Sequence, residues 1–185
     1  MTRDPWALPL GLPKRPLKTA AQKLGGVAMT ATREFRLEDW QAAVGTVTGQ
    51  SDVIHIDQAM INAFADVSQD WQPIHVDPKA AAASPFGTTI AHGFLVVSLL
   101  APLGYSALPG HPADAILINR GFDKLRFVAP VPVGSDIQAE FLLASAEVKG
   151  PTLRLAHDVR VTLKASGETA LAARWLTMIQ YGAQA

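Results

Sequence analysis

The residues whose types could carry chemistry gather between Asp66 and Ser98. Asp70 and His75 lie five residues apart in a segment interrupted by Pro73, so one short loop supplies both a carboxylate and an imidazole. Such a pair can take up and deliver a proton near neutral pH. A structural interpretation is also open, since a loop aspartate commonly caps a turn and a core histidine commonly bonds a carbonyl.

A second unit, Ala91-His92-Gly93, opens a run of apolar residues. A glycine at the start of a helix offers a backbone N–H to a developing negative charge. Together with the acid–base pair, it would supply the parts needed to add water beside a carbonyl or to remove it. The helix must then begin near His92, because a helix capped at Thr89 would bond the Gly93 N–H to the Thr89 carbonyl. Close packing of the helix on a sheet explains the glycine equally well.

Two other uses of these side chains have less support from spacing. Asp70, His75, Asp77 and His92 could together hold a metal ion, but they match no established ligand spacing, and we predict no metal. Ser98 lacks the Gly-x-Ser-x-Gly setting of a nucleophilic serine. We expect its hydroxyl either to bond one turn back in its helix or to form a polar point in a substrate pocket.

The composition is that of an ordinary globular protein. The chain has 185 residues, of which 49% are hydrophobic and 17% charged, enough for one domain with a substantial core. Sixteen basic residues balance sixteen acidic ones, which gives no reason to expect nucleic acid or an anionic membrane as a partner. The absence of cysteine excludes disulfides, thiolate nucleophiles and cysteine-ligated metal clusters.

The N-terminal segment is rich in proline. Prolines at positions 5, 9, 13 and 16 interrupt any apolar signal sequence, and the longest apolar stretch is too short to span a bilayer. We therefore expect a cytoplasmic protein, with residues 1–30 forming an extension and residues 31–185 a single domain.

Helical spacing dominates the first half of that domain. The pattern predicts a helix through Leu37, Trp40, Val44 and Val47, a short strand at 51–56, a helix from an Asp57 cap to about Ser68, a helix after Asp77-Pro78, and a helix at 90–101 buried on every side. The second half changes to period two. It predicts strands at 116–128, 137–148, 153–163 and 169–179, the last a central one, with a hairpin turn at 148–152. A buried helix followed by antiparallel strands indicates an α+β fold with the sheet curled around the helix.

At the chemical residues the chain resembles the MaoC-like dehydratase and (R)-specific enoyl-CoA hydratase family. The motif stands here as Phe64-Ala65, Asp70-Trp71-Gln72-Pro73-Ile74-His75-Val76-Asp77-Pro78, Phe86-Gly87 and Ile90-Ala91-His92-Gly93. The segment from Ile118 to Gly134 is also similar to that family. With Gln72 where the family has asparagine, the chain is nearest the branch that resembles nodulation protein N. The resemblance covers about residues 35–180.

The resemblance implies a hotdog fold, with a long central helix wrapped by a curved antiparallel sheet, paired as a homodimer. It also implies reversible hydration of a trans-2-enoyl-CoA, or the equivalent acyl carrier protein thioester of fatty acid metabolism, to the (R)-3-hydroxyacyl product without a cofactor. Carried over by motif, Asp70 and His75 handle the water and its proton, and the Gly93 N–H polarises the thioester carbonyl. Gln72, His92 and Ser98 are then expected to contact substrate.

Two alternatives remain open from the sequence. A thioesterase would share the fold but usually takes a carboxylate from the central helix, and residues 94–103 contain none. A non-catalytic acyl-binding or partner subunit would be expected to have lost the acid–base pair, and this chain retains both members.

Overall fold

The structure, a computed structural model, describes residues 34–181. The proline-rich extension predicted for residues 1–30 lies outside the described residues. The helices are α1 (Leu37–Ala42), α2 (Gln58–Ser68), α3 (Pro73–Val76), α4 (Pro78–Ala82), α5 (Gly93–Ser98) and α6 (Leu100–Ala107). The strands are β1 (Val47–Gln50), β2 (Ile54–Ile56), β3 (Ile116–Phe127), β4 (Ser135–Lys149), β5 (Thr152–Leu163) and β6 (Thr169–Gln180).

All six strands form one antiparallel sheet in the order β1-β4-β5-β6-β3, with β2 paired to the same edge of β4 as β1. The hairpin between β4 and β5 turns at Gly150, as the sequence predicts, and Gly150 takes a positive φ of 58°. The strand predicted to be central, β6, is interior and paired on both edges, although β5 occupies the middle of the order.

Helices α5 and α6 cross the inner face of this sheet. Their buried residues share one apolar core with inward-facing residues of β4, β5 and β6, including Leu95, Leu100, Leu103, Phe141, Val161 and Trp175. The close approach of α6 to the sheet depends on Gly49, because a Cβ there would lie 2.0 Å from the Ala107 carbonyl oxygen. The α+β class and the hotdog arrangement expected from the sequence are confirmed.

The central helix differs from its prediction in two ways. It is divided at Leu99, because Pro102 has no N–H to bond the Ser98 carbonyl one turn earlier. The central helix is also not fully buried within this chain. Phe94 is 67% exposed and Tyr105 is 61% exposed, so an apolar strip of the helix faces outward.

Two further boundaries were predicted wrongly. Helix α1 ends at Ala42, and Val44 and Val47 lie beyond it because the chain turns at a positive-φ Gly45 and enters β1. The sequence predicted one strand at 51–56. The structure instead has β1, which ends at Gln50, and β2, which begins at Ile54, with residues 51–53 between them. Ser51 occupies the gap, where its N–H donates to the Ala139 carbonyl and its hydroxyl accepts from the Ala139 N–H.

The capped helices are confirmed. The Asp57 carboxylate accepts the Met60 N–H at the start of α2, and the Asp77 carboxylate accepts the N–H groups of Lys79 and Ala80 at the start of α4. Across residues 34–181, no helix combines the length and the apolarity that a membrane crossing would require.

Candidate active site

His75 lies on the single turn α3, which Pro73 starts. Its side chain is buried, and its Nδ1 lies 2.7 Å from the Ile90 carbonyl oxygen. A carbonyl only accepts, so Nδ1 carries the proton and Nε2 of the neutral ring keeps its lone pair. The ring is therefore held in a tautomer whose other nitrogen is able to accept a proton.

His92, immediately before α5, braces this arrangement. Its ring stacks on the His75 ring, with centroids 3.8 Å apart and 26° between the planes. Its Nε2 lies 2.9 Å from the backbone carbonyl oxygen of Asp70, to which it donates. His92 is 3% exposed, and its Nδ1 has no hydrogen-bond partner among the described residues. His92 thus contacts both His75 and Asp70, and the contact with substrate expected for it stays a prediction.

Asp70 follows directly on the end of α2. The helix ends in a left-handed residue, Gln69 at φ 59° and ψ 26°, which turns the chain toward the site. The Gln72 Nε2 donates to the Asp70 carboxylate over 3.2 Å. A carboxylate oxygen of Asp70 and one ring nitrogen each of His75 and His92 lie within 4.8 Å of one another. Asp70 and His75 therefore lie close together in the structure.

Gly93 is the first residue of α5, with His92 as the N-cap. The helix thus begins where the oxyanion interpretation requires, since the N–H of a first helical residue has no partner within the helix. Gly93 also packs closely. A Cβ there would lie 2.8 Å from the Phe127 ring of β3. Both explanations offered for this glycine have a structural basis.

A cavity of about 440 Å³ joins two of these residues, and Asp70 is not among those that line it. His75 and Gly93 both line it, and most of the remaining wall is apolar. That wall is formed by Phe86, Ile90, Ala91, Phe94, Val96, Phe127, Val128, Ala129, Pro130, Val131 and Ala170. An apolar crevice with a few convergent polar groups is the usual form of a small-molecule site.

Two residues predicted to contact substrate, Gln72 and Ser98, are held by hydrogen bonds within the chain. Ser98 is on the exposed side of α5, and its hydroxyl donates to the Phe94 carbonyl one turn back, the first of the two roles considered for it. Neither Ser98 nor Gln72 lines the cavity. The structure therefore places Gln72 against Asp70 and does not bring Ser98 to the site.

A metal ion fits these residues poorly. Asp77 is engaged in capping α4. The rings of His75 and His92 are stacked with 26° between their planes, so their in-plane lone pairs lie in two nearly parallel planes, which is a poor arrangement for sharing one ion. One nitrogen of each ring donates to a backbone carbonyl, which leaves the other nitrogen of each ring without that proton.

Three contributing residues were missed by sequence reasoning. Gln58 and Thr89 bridge the segments that carry His75 and Gly93, and Phe127 covers Gly93 from the edge strand. The hydrogen bond between Gln58 and Thr89 joins residues 31 positions apart, so no local sequence pattern predicts it. The close packing expected for Gly93 was a usable signal for a large neighbour, though it did not identify which one.

The curved sheet, the central helix and this crevice define a hotdog-fold protein with Asp70, His75 and His92 close together beside the start of the central helix. A family model described as "MaoC like domain" matches residues 39–165, and the chain belongs to this family of dehydratases and hydratases.

Relatives and solved structures agree. The chain is 42% identical over 150 residues to Nodulation protein N of Rhizobium meliloti (strain 1021), covering 80% of this chain and 93% of that protein. It is 43% identical over 136 residues to 3-hydroxyacyl-thioester dehydratase Z of Mycobacterium tuberculosis, covering 73% and 89%. The structure of the (R)-hydratase from A. caviae involved in PHA biosynthesis is similar with a TM-score of 0.59 and 28% identity, covering 74% of this chain and 96% of that one.

Proposed function

We propose that this protein reversibly hydrates a trans-2-enoyl thioester to the (R)-3-hydroxyacyl thioester. The observation that carries the proposal is the placement of two groups in one cavity. The Nδ1–H of His75 is engaged by the Ile90 carbonyl, which leaves Nε2 able to accept a proton. The Gly93 N–H at the start of α5 serves the same cavity.

Hydration forms a C–O bond at C3 and a C–H bond at C2 of the enoyl group. Asp70 and His75 together take a proton from the attacking water and deliver a proton to C2, so the pair returns to its starting state. Positioned groups of this kind contribute about 100- to 10,000-fold in rate. The stereochemistry is carried over from the family and its (R)-hydratase member.

Negative charge develops on the thioester oxygen as water adds. The Gly93 N–H would donate to that oxygen, and a donor placed in this way is worth about 3 kcal/mol. The apolar wall supports the same assignment, because it gives the acyl chain a dry surface and strengthens the hydrogen bond to the oxyanion.

We propose a homodimer as the working form. Phe94 on the outward strip of α5 contacts Phe127 of β3 with ring centroids 5.7 Å apart, and β3 is an edge strand with β6 as its neighbour. An exposed aromatic strip beside a strand edge that no other described strand pairs is a suitable surface for a second copy. Light scattering of purified protein should give twice the chain mass, and a monomer at assay concentration would refute this part.

The reaction is tested with crotonyl-CoA. We expect loss of the enoyl absorbance without release of free thiol. Release of thiol would identify a thioesterase instead, and neither change would identify a binding subunit. The same assay on enoyl groups of increasing length, each attached to coenzyme A and to acyl carrier protein, would define the carrier and the acyl length that the cavity accepts.

A further inference from the structure

We propose that Gln58 is a positioning residue that keeps His75 in its working orientation through a partly buried hydrogen-bond chain to Thr89. The proposal rests on the proposed function, since it assigns a role beside the same acid–base pair. Gln58 is the first residue of α2, and it lies outside the cavity wall.

The side-chain amide of Gln58 is fully engaged. Its Nε2 donates to the His75 backbone carbonyl over 2.8 Å and to the Asn62 side-chain oxygen over 2.9 Å. Its Oε1 accepts the Thr89 hydroxyl over 2.6 Å. Thr89 is 2% exposed, so this hydroxyl is out of reach of bulk water. The two amide hydrogens and the oxygen all have partners, which fixes the orientation of the amide.

This chain adds a third link between two segments that are already joined twice. The Ile90 N–H donates to the Ile74 carbonyl over 3.0 Å, and the His75 Nδ1–H donates to the Ile90 carbonyl over 2.7 Å. Gln58, on α2, adds the third link. It bonds both His75, next to Ile74, and Thr89, next to Ile90. Three links between two short segments leave α3 little freedom to rotate or slide.

The consequence for chemistry follows from the tautomer. The Nε2 of His75 is available as a base only while Nδ1 holds its proton against the Ile90 carbonyl. If the His75 carbonyl loses its Gln58 donor, α3 can shift and that bond lengthens. The Nε2–H tautomer then becomes populated, and its ring cannot accept a proton at the cavity. The number of competent molecules falls while the apolar wall that binds the acyl chain stays intact.

The test uses four single variants. Gln58→Leu and Thr89→Val remove the bridge, and Thr89→Val preserves the shape of the side chain. Asn62→Ala is the matched control for Gln58, because it removes the other partner of the same amide, and Thr89→Ser retains the hydroxyl. We expect kcat to fall about ten- to a hundredfold in the two bridge variants with KM little changed. Both controls should stay within about twofold of the unmodified protein.

The double variant Gln58→Leu/Thr89→Val should lose no more than the worse single variant, because both substitutions cut one chain. Nitrogen-15 NMR of the imidazoles provides a readout that does not depend on turnover. The unmodified protein should show His75 as the Nδ1–H tautomer, and the bridge variants a mixture. Folded bridge variants with unchanged kcat and unchanged His75 signals would overturn the proposal.

The two proposals fail in different ways. If the unmodified protein hydrates no enoyl thioester, the proposed function falls, while the NMR comparison still decides whether Gln58 and Thr89 position His75. If the unmodified protein is active and Thr89→Val is folded and fully active, the function stands and the positioning role falls.

Discussion

Two regions of this molecule bury histidine in contrasting ways. At the start of the central helix, His75 and His92 are stacked and each donates to a backbone carbonyl. On β5, His157 is 0% exposed between the rings of Trp40 and Phe141, and neither of its nitrogens has a hydrogen-bond partner among the described residues.

The difference between the regions is the presence of a carbonyl acceptor. At His75 the Ile90 carbonyl accepts the Nδ1–H, which leaves Nε2 unprotonated and able to accept a proton. At His157 burial in apolar surroundings lowers the pKa to about 4, against a weaker opposing effect of Asp158. Such a ring stays neutral at physiological pH and exchanges no proton. Burial alone therefore does not make a histidine a proton carrier.

The largest expected effect lies in the first region. Asp70→Asn and His75→Ala should each lower turnover of an enoyl thioester by roughly a hundredfold or more, because each removes one member of the acid–base pair. Circular dichroism should show the fold intact. His157→Leu is the control for loss of a buried imidazole, and it should keep near-normal turnover. Near-normal rates in either site variant would end the assignment of the pair.

The next effect is on stability in acid. The unfolded chain protonates His157 near pH 6.5, whereas the folded chain resists until about pH 4, so stability falls as pH drops through that window. The loss from this residue should reach about 3 kcal/mol, and it should be absent in His157→Leu. Urea unfolding at pH 7 and pH 4.5 measures it. Equal acid losses in both proteins would contradict the neutral buried state of His157.

A smaller effect separates packing from hydrogen bonding at Gly93. Gly93→Ala keeps the backbone N–H but forces the Phe127 ring to move, since the new Cβ would lie 2.8 Å from it. Overpacking of this kind destabilises by about 1–3 kcal/mol. Phe127→Leu in the same chain should recover most of that stability and part of the turnover, measured by thermal unfolding and the hydration assay. No recovery in the double variant would show that the glycine is needed for another reason.

The smallest effect concerns the turn into Asp70. Gln69 holds a left-handed conformation that costs a side chain about 1 kcal/mol, so Gln69→Gly should raise the free energy of unfolding by up to about that amount. Ala63→Gly, in the right-handed interior of α2, should lower it by about 1 kcal/mol. Changes of the same sign in both variants, measured by urea unfolding, would mean that the conformation of Gln69 carries no strain.

Much of the fold was predictable because its cues are local. Asp57 and Asp77 cap helices from within three residues, and the period-two pattern of β4 to β6 marks a sheet with one buried face. The boundary errors arose where a distant contact decides the outcome. The break at Leu99 and the outward-facing Phe94 follow from Pro102 and from the shape of the sheet, and not from hydrophobic spacing.

The site was predictable only in part. The motif identified Asp70, His75 and Gly93. The structure places Asp70 near His75, and it places His75 and Gly93 on the wall of one cavity that Asp70 does not line. The role of His92 follows from ring stacking and from a bond to a residue 22 positions away. Ser98 had the right chemistry for a pocket contact, but the helical phase directs it outward, and its face could not be known before the sheet was placed.

The position of residues 131–133 late in the chain has a consequence for synthesis on the ribosome. The segment at 89–91 is anchored by the Val131 carbonyl, which accepts the Ala91 N–H, and by the Val133 N–H, which donates to the Thr89 carbonyl. Asp70 and His75 therefore leave the exit tunnel before residues 131–133, whose hydrogen bonds hold the segment at 89–91. A nascent chain stopped short of residue 131 would carry the whole motif yet hold no organised site, so activity should arise late in translation.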